Sequence, residues 1–260
     1  MTGFDAPAEA YDRFVGRYSG ALARELMGAA GVAAGDRALD VGCGPGALTS
    51  ELVAVLGAGN VSAVDPSPGF AAACEARNIG VRVSVAAAES LPFEDEAFDV
   101  ALAQLVVNFM TDAAAGVREM ARVVRSGGVV GAATWDYVDG MTLLRAFWDT
   151  AAIVDAAAQA RDEGHVMRYA TADELAGLWS ECGLAEVRTD AAVVSAGYDD
   201  FEDLWLPLER GVGPAGSYVL TLDDDRRGAL KSGLRERLGV DASGAFSLDA
   251  RAWLVTGRVP

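Results

Sequence analysis

The run Leu39-Asp40-Val41-Gly42-Cys43-Gly44-Pro45-Gly46 constrains this fold more than any other stretch. In it an apolar, strand-like segment ends in an acid and then meets three alternate glycines. Glycine is needed where the chain takes positive φ or must present no Cβ to an incoming group. Ala47 onward reads as a helix, whose free N–H groups point back at the same turn. A turn of this kind sets bare backbone amides against a ligand, and a small, partly anionic one is expected here.

Spacing alone leaves two ligand classes open, because Gly42-x-Gly44-x-x-Ala47 also satisfies the dinucleotide fingerprint in its Gly/Ala form. Asn60 to Ser67 reads as a second strand with Asp65 at its C-terminal tip, placed to accept hydrogen bonds from a ribose diol. Both classes share that feature. Asp40 ahead of the turn, Pro45 inside it and the acid of Ala87-Ala88-Glu89-Ser90-Leu91-Pro92-Phe93 separate them, against the dinucleotide.

At these residues the chain resembles the class I S-adenosylmethionine-dependent methyltransferases, in particular the small-molecule group related to the ubiquinone and menaquinone enzymes. LDVGCGPG (39–46), VDPSP (64–68) and AESLPFEDEAFDVALA (88–103) follow that family's order and spacing. The resemblance is specific over about the first half of the chain and loose beyond it, as when a cofactor site is fixed and a substrate site varies. It implies S-adenosylmethionine as cofactor and S-adenosylhomocysteine as product. Gly42, Gly44 and Gly46 would then lie along the methionine part, Asp65 at the ribose hydroxyls, Ala88 and Glu89 at the adenine, and Gln104 near the methionine end, with Asp40, Cys43, Pro66 and Ser90 as further cofactor-binding residues. Ala87 stands where family members often carry Asp. In similar enzymes the N-terminal segment folds over the cofactor, which brings in Arg17 and Tyr18; the alternative is a helix whose Phe14, Tyr18 and Leu22 form a core stripe.

Length and an apolar fraction of 52% suit a compact enzyme of 260 residues. No basic and apolar leader opens the sequence and no apolar run reaches the roughly 18 to 20 residues that cross a bilayer, so a cytoplasmic protein is expected. Cys43, Cys74 and Cys182 lack paired or metal-ligand spacing, which fits a reducing compartment and no metal. A net charge of −17 opposes nucleic-acid binding. The basic cluster Arg226, Arg227, Lys231, Arg235 and Arg237 follows three aspartates and reads as a solvated helix.

Alternating strand and helix patterns predict an α/β, Rossmann-like, seven-stranded and mostly parallel sheet with helices on both faces. Strands are expected near 37–41, 61–65, 81–86, 98–103 and 129–134, with helices near 47–55, 68–77 and 112–124. Gly127-Gly128 is expected to close the last of these helices. The resemblance adds an antiparallel terminal pair near 185–196 and 246–259. Some forty to fifty residues stand between them, more than the roughly two to five of a hairpin connection. A single domain is expected: an N-terminal helical cover (1–30), a cofactor-binding core (35–135), and helical insertions (136–182 and 198–244) capping the active site and shaping an acceptor pocket.

The chemistry then asks little of the protein: hold a nucleophile in line behind the sulfonium methyl, exclude water and, for an alcohol, remove a proton. The sequence announces no base. His165, the sole histidine, is the candidate for that role, and Tyr11, Trp135, Trp148, His165 and Tyr169 are candidates for the acceptor site. Asp136 reads either as an acid or base at the tip of the fifth strand or as a turn cap. The expected activity is methyl transfer to a small organic acceptor, with oxygen slightly ahead of carbon or nitrogen. The rivals are an NAD(P)-dependent oxidoreductase and a non-catalytic protein that binds S-adenosylmethionine or its product.

Overall fold

The computed structural model describes residues 14, 16–241 and 243–260. Its elements, in chain order, are α1 (Gly16–Ala30), β1 (Ala38–Val41), α2 (Ala47–Leu56), β2 (Val61–Asp65), α3 (Pro68–Arg77), β3 (Arg82–Val85), β4 (Phe98–Gln104), α4 (Ala113–Val123), β5 (Val124–Trp135), α5 (Thr142–Val154), α6 (Glu163–Val166), α7 (Ala172–Glu181), β6 (Ala185–Tyr198), α8 (Phe201–Glu209), α9 (Gly213–Val219), α10 (Asp224–Leu238) and β7 (Phe246–Arg258). Among the described residues, no helix is long and apolar enough to cross a membrane.

The seven strands form one sheet in the order β3-β2-β1-β4-β5-β7-β6. The pairs β1–β2, β2–β3, β1–β4 and β4–β5 are parallel, and β7 runs antiparallel to β5 from Val129 against Arg258 to Trp135 against Ala252. A hydrogen bond from Ser195 to Asp249, and Gly257 packed against Leu184 and the Ala185 carbonyl, set β6 antiparallel to β7. The chain winds outward through β2 and β3, then returns to the other side of β1 with β4. The C-terminal ends of β1 and β4 therefore flank the switch point at which open α/β sheets bind ligands.

Two compact units divide the chain. One holds 19–135, 168–192 and 252–260; the other holds 136–167 and 193–251 together with the described residues up to Tyr18. In the first, all four residues of β1 are buried, as a central parallel strand requires. Leu39, Val41, Ala101, Ala103, Val117, Met120, Leu175 and Trp179 belong to one apolar core. Trp179 donates its indole N–H to the Val130 carbonyl at 3.0 Å, so even the largest core side chain leaves no unmet donor. Because α7 contributes to this core, 168–182 belongs with the sheet, and the first inserted segment is shorter than the expected 136–182.

Local signals account for the helices. Ser67 caps α3 by accepting from Phe70 N, with Pro68 in its first turn, and Asp112 caps α4 by accepting from Ala115 N at 2.9 Å. The glycine pair 127–128 is a correction. The helix α4 stops at Val123, and Val124 already pairs with Phe98 before the register slips to Val100 against Val129. Gly127 takes φ 75° within this irregular stretch of β5 and donates to the Val259 carbonyl, while a Cβ on Gly128 would lie 2.5 Å from Val124 Cγ1. These glycines serve a strand irregularity and do not cap a helix.

In the second unit Phe147 meets Trp148 edge-on at 5.0 Å and Tyr218 edge-on at 6.3 Å. Arg145 grips Asp162 through two hydrogen bonds of 3.0 and 2.7 Å. The basic run lies in α10, where Leu230 and Leu234 are buried, Lys231 reaches Glu202 at 2.8 Å, and Arg237 donates to Thr150 Oγ1 at 3.1 Å and Asp149 Oδ2 at 3.3 Å.

Candidate cofactor site

The turn after β1 is built by its own backbone. The amides of Gly42 and Cys43 both donate to the Val64 carbonyl, at 2.8 and 2.9 Å, and Gly46 N donates to Cys43 O at 2.9 Å. Gly44 N donates to Asp65 Oδ2 at 2.9 Å. The amides expected to be bare are thus engaged within the protein. Their bonds fix the turn's shape in advance, and no side chain caps the start of α2.

The three glycines differ in what they are for. Gly42, Gly44 and Gly46 all have positive φ, at 73°, 52° and 92°. A Cβ on Gly42 would strike Val106 at 2.4 Å, and one on Gly46 would lie 2.5 Å from Asn78 Nδ2 and 2.9 Å from Cys74 Sγ. Both are glycine because the protein fills the space. Gly44 has nothing within 4 Å of its would-be Cβ, so there the chain presents bare backbone to open space.

Asp65 is nearly buried, and its two carboxylate oxygens accept from Gly44 N and Ser67 N at 2.9 and 2.8 Å. A carboxylate has about four lone-pair sites, so acceptor capacity remains for hydroxyls. Burial raises its pKa, while the two amides pull it down. Asp40 is fully buried: Oδ2 accepts from the Thr49 hydroxyl at 2.6 Å, and Oδ1 has no partner. Burial pushes its pKa up to about 8, against the opposing Thr49 hydrogen bond. At the end of β4, Gln104 donates through Nε2 to Ser19 O at 3.0 Å and leaves a buried Oε1 without a partner. Leu105, next along, is held at φ 61° with its amide on Ala133 O. Two orphaned buried acceptors and an open glycine therefore sit at the ends of β1 and β4. Such acceptors are costly unless a donor arrives, and an ammonium group meets that need.

The remaining expected residues fall out as follows. Glu89 Oε1 accepts from the amides of Thr111 and Asp112, at 2.9 and 3.1 Å, which braces the approach to α4. Ala88 is buried, 3.4 Å from where a Cβ on Gly116 would sit, and Ser90 N donates to Ala87 O. Pro66 lies in the turn that Asp65 closes on Ser67. Arg17 pairs with Asp203 at 2.5 Å, donates to Gly197 O at 2.9 Å and lies over the Tyr198 ring, while the Tyr18 and Tyr198 hydroxyls are 3.2 Å apart. Phe14, Tyr18 and Leu22 are all buried, as the core stripe predicts.

Tyr11 lies outside the described residues. Trp135 and Trp148 are buried, and Trp148 donates to Glu163 Oε2 at 3.0 Å. The His165 side chain is 68% exposed, 3.6 Å from Asp162, on an open groove with Val138, Asp139, Arg145 and Asp149. Tyr169 adopts φ 57°; its carbonyl accepts from Thr134 Oγ1 and its hydroxyl oxygen accepts from Arg168. Asp136 closes a turn on the amides of Val138 and Asp139, both at 3.1 Å, and pairs with Arg251. Thr49, Ser67, Cys74 and Asn78, which sequence reasoning had not put in the site, buttress the turn. No spacing rule marks them, because their partners are 9 to 32 residues away or belong to the backbone. Among the described residues, no group of three or more His, Cys, Asp or Glu is placed to hold a metal ion.

The glycine turn after β1 and the acid at the tip of β2 sit where open α/β sheets bind ligands, and comparison with known proteins narrows the class. Residues 39–131 match the methyltransferase domain family. The malonyl-[acyl-carrier protein] O-methyltransferase of Serratia marcescens is 31% identical over 176 residues, 61% of this chain and 68% of that protein. The demethylmenaquinone methyltransferase of Mycobacterium sp. strain KMS is 42% identical over 106 residues, 40% of this chain and 44% of that one. In fold, the chain is similar to phosphoethanolamine N-methyltransferase 2 of Haemonchus contortus, solved with phosphomonomethylethanolamine and S-adenosylhomocysteine. That likeness has a TM-score of 0.57 at 16% identity over 92% of this chain and 52% of the other. The chain belongs to the class I S-adenosylmethionine-dependent methyltransferases. S-adenosylmethionine is the cofactor of that family and S-adenosylhomocysteine its product.

Proposed function

We propose that this chain transfers the methyl group of S-adenosylmethionine to a small organic acceptor, with an oxygen nucleophile favoured over carbon or nitrogen. The observation that carries the reading is the pre-formed turn: bare backbone at Gly44, flanked by the unmet acceptors Asp40 Oδ1 and Gln104 Oε1 and by Asp65, whose free lone pairs suit a ribose diol. The cofactor supplies an electrophilic methyl on a sulfonium; the residues of the site bind and orient it. Asp40, Gly42, Cys43, Gly44 and Gly46 are assigned to the methionine portion, Asp65 and Pro66 to the ribose, Ala88, Glu89 and Ser90 to the adenine, and Gln104 to the methionine end.

Oxygen is favoured because His165, the candidate base, is largely exposed, with Asp162 at 3.6 Å as its partner. A carboxylate or phenolate is already ionised near neutrality and needs none. A relative named as an O-methyltransferase supports the same choice. Acceptor recognition is assigned to the inserted segments 136–167 and 198–244, which lie outside the matched family region 39–131. Nucleic acid is not the acceptor on this reading, given a net charge of −17.

Isothermal titration with S-adenosylmethionine, S-adenosylhomocysteine, NADH and NADPH tests the cofactor side. Adenosyl-ligand binding that Asp65→Ala weakens at least tenfold is expected. Binding to a nicotinamide alone would sink the reading, and binding without turnover on a broad panel of acids, phenols and amines would favour the non-catalytic rival.

A further inference from the structure

The sheet has two unlike edges. β3 is four residues long, which leaves little backbone for another chain to pair with. β6 is fourteen residues long and ends the sheet on the other side. Arg188, Thr189, Asp190 and Ala191 are four consecutive exposed residues on it. Successive side chains of a strand point to opposite faces, so neither face of β6 is covered there. The Ala191 amide takes the carboxylate of its own neighbour, Asp190 Oδ1, at 2.8 Å, as an edge amide does when no strand lies beside it. By alternation, the odd-numbered residues then carry the open amides and carbonyls. Neither proline nor lysine, which commonly blunt such edges, occurs in 187–191.

The charges at this edge are arranged unevenly. Glu186 pairs with Arg258 at 3.4 Å, and its φ of 49° ends the regular strand on that side. Arg188 has no hydrogen bond or ion pair among the described residues, and the Asp190 carboxylate meets only the Ala191 amide. Arg188 and Arg258 balance Glu186 and Asp190, so the edge is locally neutral on a chain of net charge −17. Two copies of so acidic a protein repel over most of their surface and can meet where the charge cancels.

We infer that 187–191 of β6 is the contact of a symmetric dimer, in which the same segment of a second copy adds antiparallel to it and continues the sheet. The two-fold axis passes through Thr189. Val187 then faces Ala191 of the second copy and Arg188 faces its Asp190, each pair occurring twice by symmetry. An axis at 188 would set Arg188 against itself, and one at 190 would do the same to Asp190. Like charges directly opposite each other are unfavourable, so charge fixes the register. Thr189 forms a hydrogen-bonded pair with its symmetry mate, the two Cα atoms about 5.5 Å apart. So short a contact makes a weak, concentration-dependent dimer.

Sedimentation velocity of the whole chain, from micromolar to submillimolar concentration at physiological salt, tests this. Monomer is expected to give way to dimer across that range. Arg188→Asp sets two pairs of carboxylates against each other and should weaken the dimer at least tenfold. Asp190→Arg should do the same, and the two changes together should restore it. Both side chains are exposed, so circular dichroism should show all three variants folded. Register is read separately, in a Cys182→Ala background under oxidised glutathione. Thr189→Cys should give a disulfide-linked dimer, since a Cα separation of about 5.5 Å lies within the span a disulfide bridges. Ala191→Cys should not, its mate being about 14 Å away at about 3.4 Å of rise per residue. A wild type that stays monomeric throughout, a dimer indifferent to either charge change, or a double variant that does not restore it overturns the inference. So does Ala191→Cys linking as readily as Thr189→Cys.

Discussion

Asp40 makes the strongest quantitative demand on this structure. It is 1% exposed, one oxygen is held by Thr49 and the other has no partner. Burial moves its pKa from 3.8 to about 8. A folded-state value above the unfolded one means that Asp40 contributes stability fully below about pH 3.8 and loses it as pH rises through about 8. At about 1.4 kcal/mol per pKa unit, the loss between pH 4 and 8 comes to about 5 kcal/mol, a large share of a typical folding free energy. Asp40→Asn cannot ionise and lacks this slope. Its amide group, placed where Oδ1 has no partner, adds a cost of about 1–3 kcal/mol that does not vary with pH. Urea unfolding of both proteins at unit pH steps from 4 to 8 isolates the term, because distant carboxylates cancel in the difference. The wild type should be the more stable at pH 4 and should lose ground steadily towards pH 8. A difference flat to within about 1 kcal/mol would mean that Asp40 titrates as an ordinary carboxylate, and the burial argument would fail.

Glu163, 3% exposed, is raised from 4.5 to about 7 by burial, with Asp162 adding to the shift and Trp148 and Arg145 opposing it. Its contribution is therefore lost between about pH 4.5 and 7, and Glu163→Gln should recover about 3 kcal/mol at pH 8, measured by the same unfolding series. Gly44→Ala and Gly46→Ala should separate ligand from fold. The first, with open space around it, costs about 1 kcal/mol for its positive φ yet lowers adenosyl-ligand affinity at least tenfold; the second, blocked by Asn78 and Cys74, costs about 3 kcal/mol in thermal unfolding. Comparable destabilisation by both would argue that the space at Gly44 is not a ligand's. A double-mutant cycle on Arg17 and Asp203, each about one-fifth exposed, should give a coupling of about 1 kcal/mol. No coupling would leave the Tyr198 stacking and the Gly197 carbonyl as what holds Arg17.

The sheet was legible because its strands announce themselves twice, by apolar content and by the residues that stop them. Val61–Asp65 and Pro68–Arg77 have the expected ends, since Asp65, Ser67 and Pro68 are local signals whose partners lie within a few residues. The glycine pair 127–128 misled because a glycine after a helix reads as a cap, whereas here its meaning comes from Asp99 and Val259, far along the chain. The limit of the first insertion was missed for a related reason. Nothing local in Ala172–Glu181 says that Leu175, Leu178 and Trp179 complete the core beneath β5.

The same distinction between local and distant partners explains the uneven reading of the site. The turn's glycines carry their reason within eight residues, yet only the structure separates Gly44, which faces open space, from Gly42 and Gly46, which face Val106, Asn78 and Cys74. The sequence expected amides offered to the ligand; in the fold, Val64 and Asp65 have taken them. What the turn offers instead is a fixed shape, with acceptors at Asp40 and Gln104 whose cost is offset only when a donor arrives. On the cofactor reading proposed above, Gln104 Oε1, and Asp40 once ionised, would suit the ammonium group of a sulfonium ligand better than a pyrophosphate. That preference, more than the glycine spacing shared by both ligand classes, is the physical reason to set the nicotinamide alternative aside.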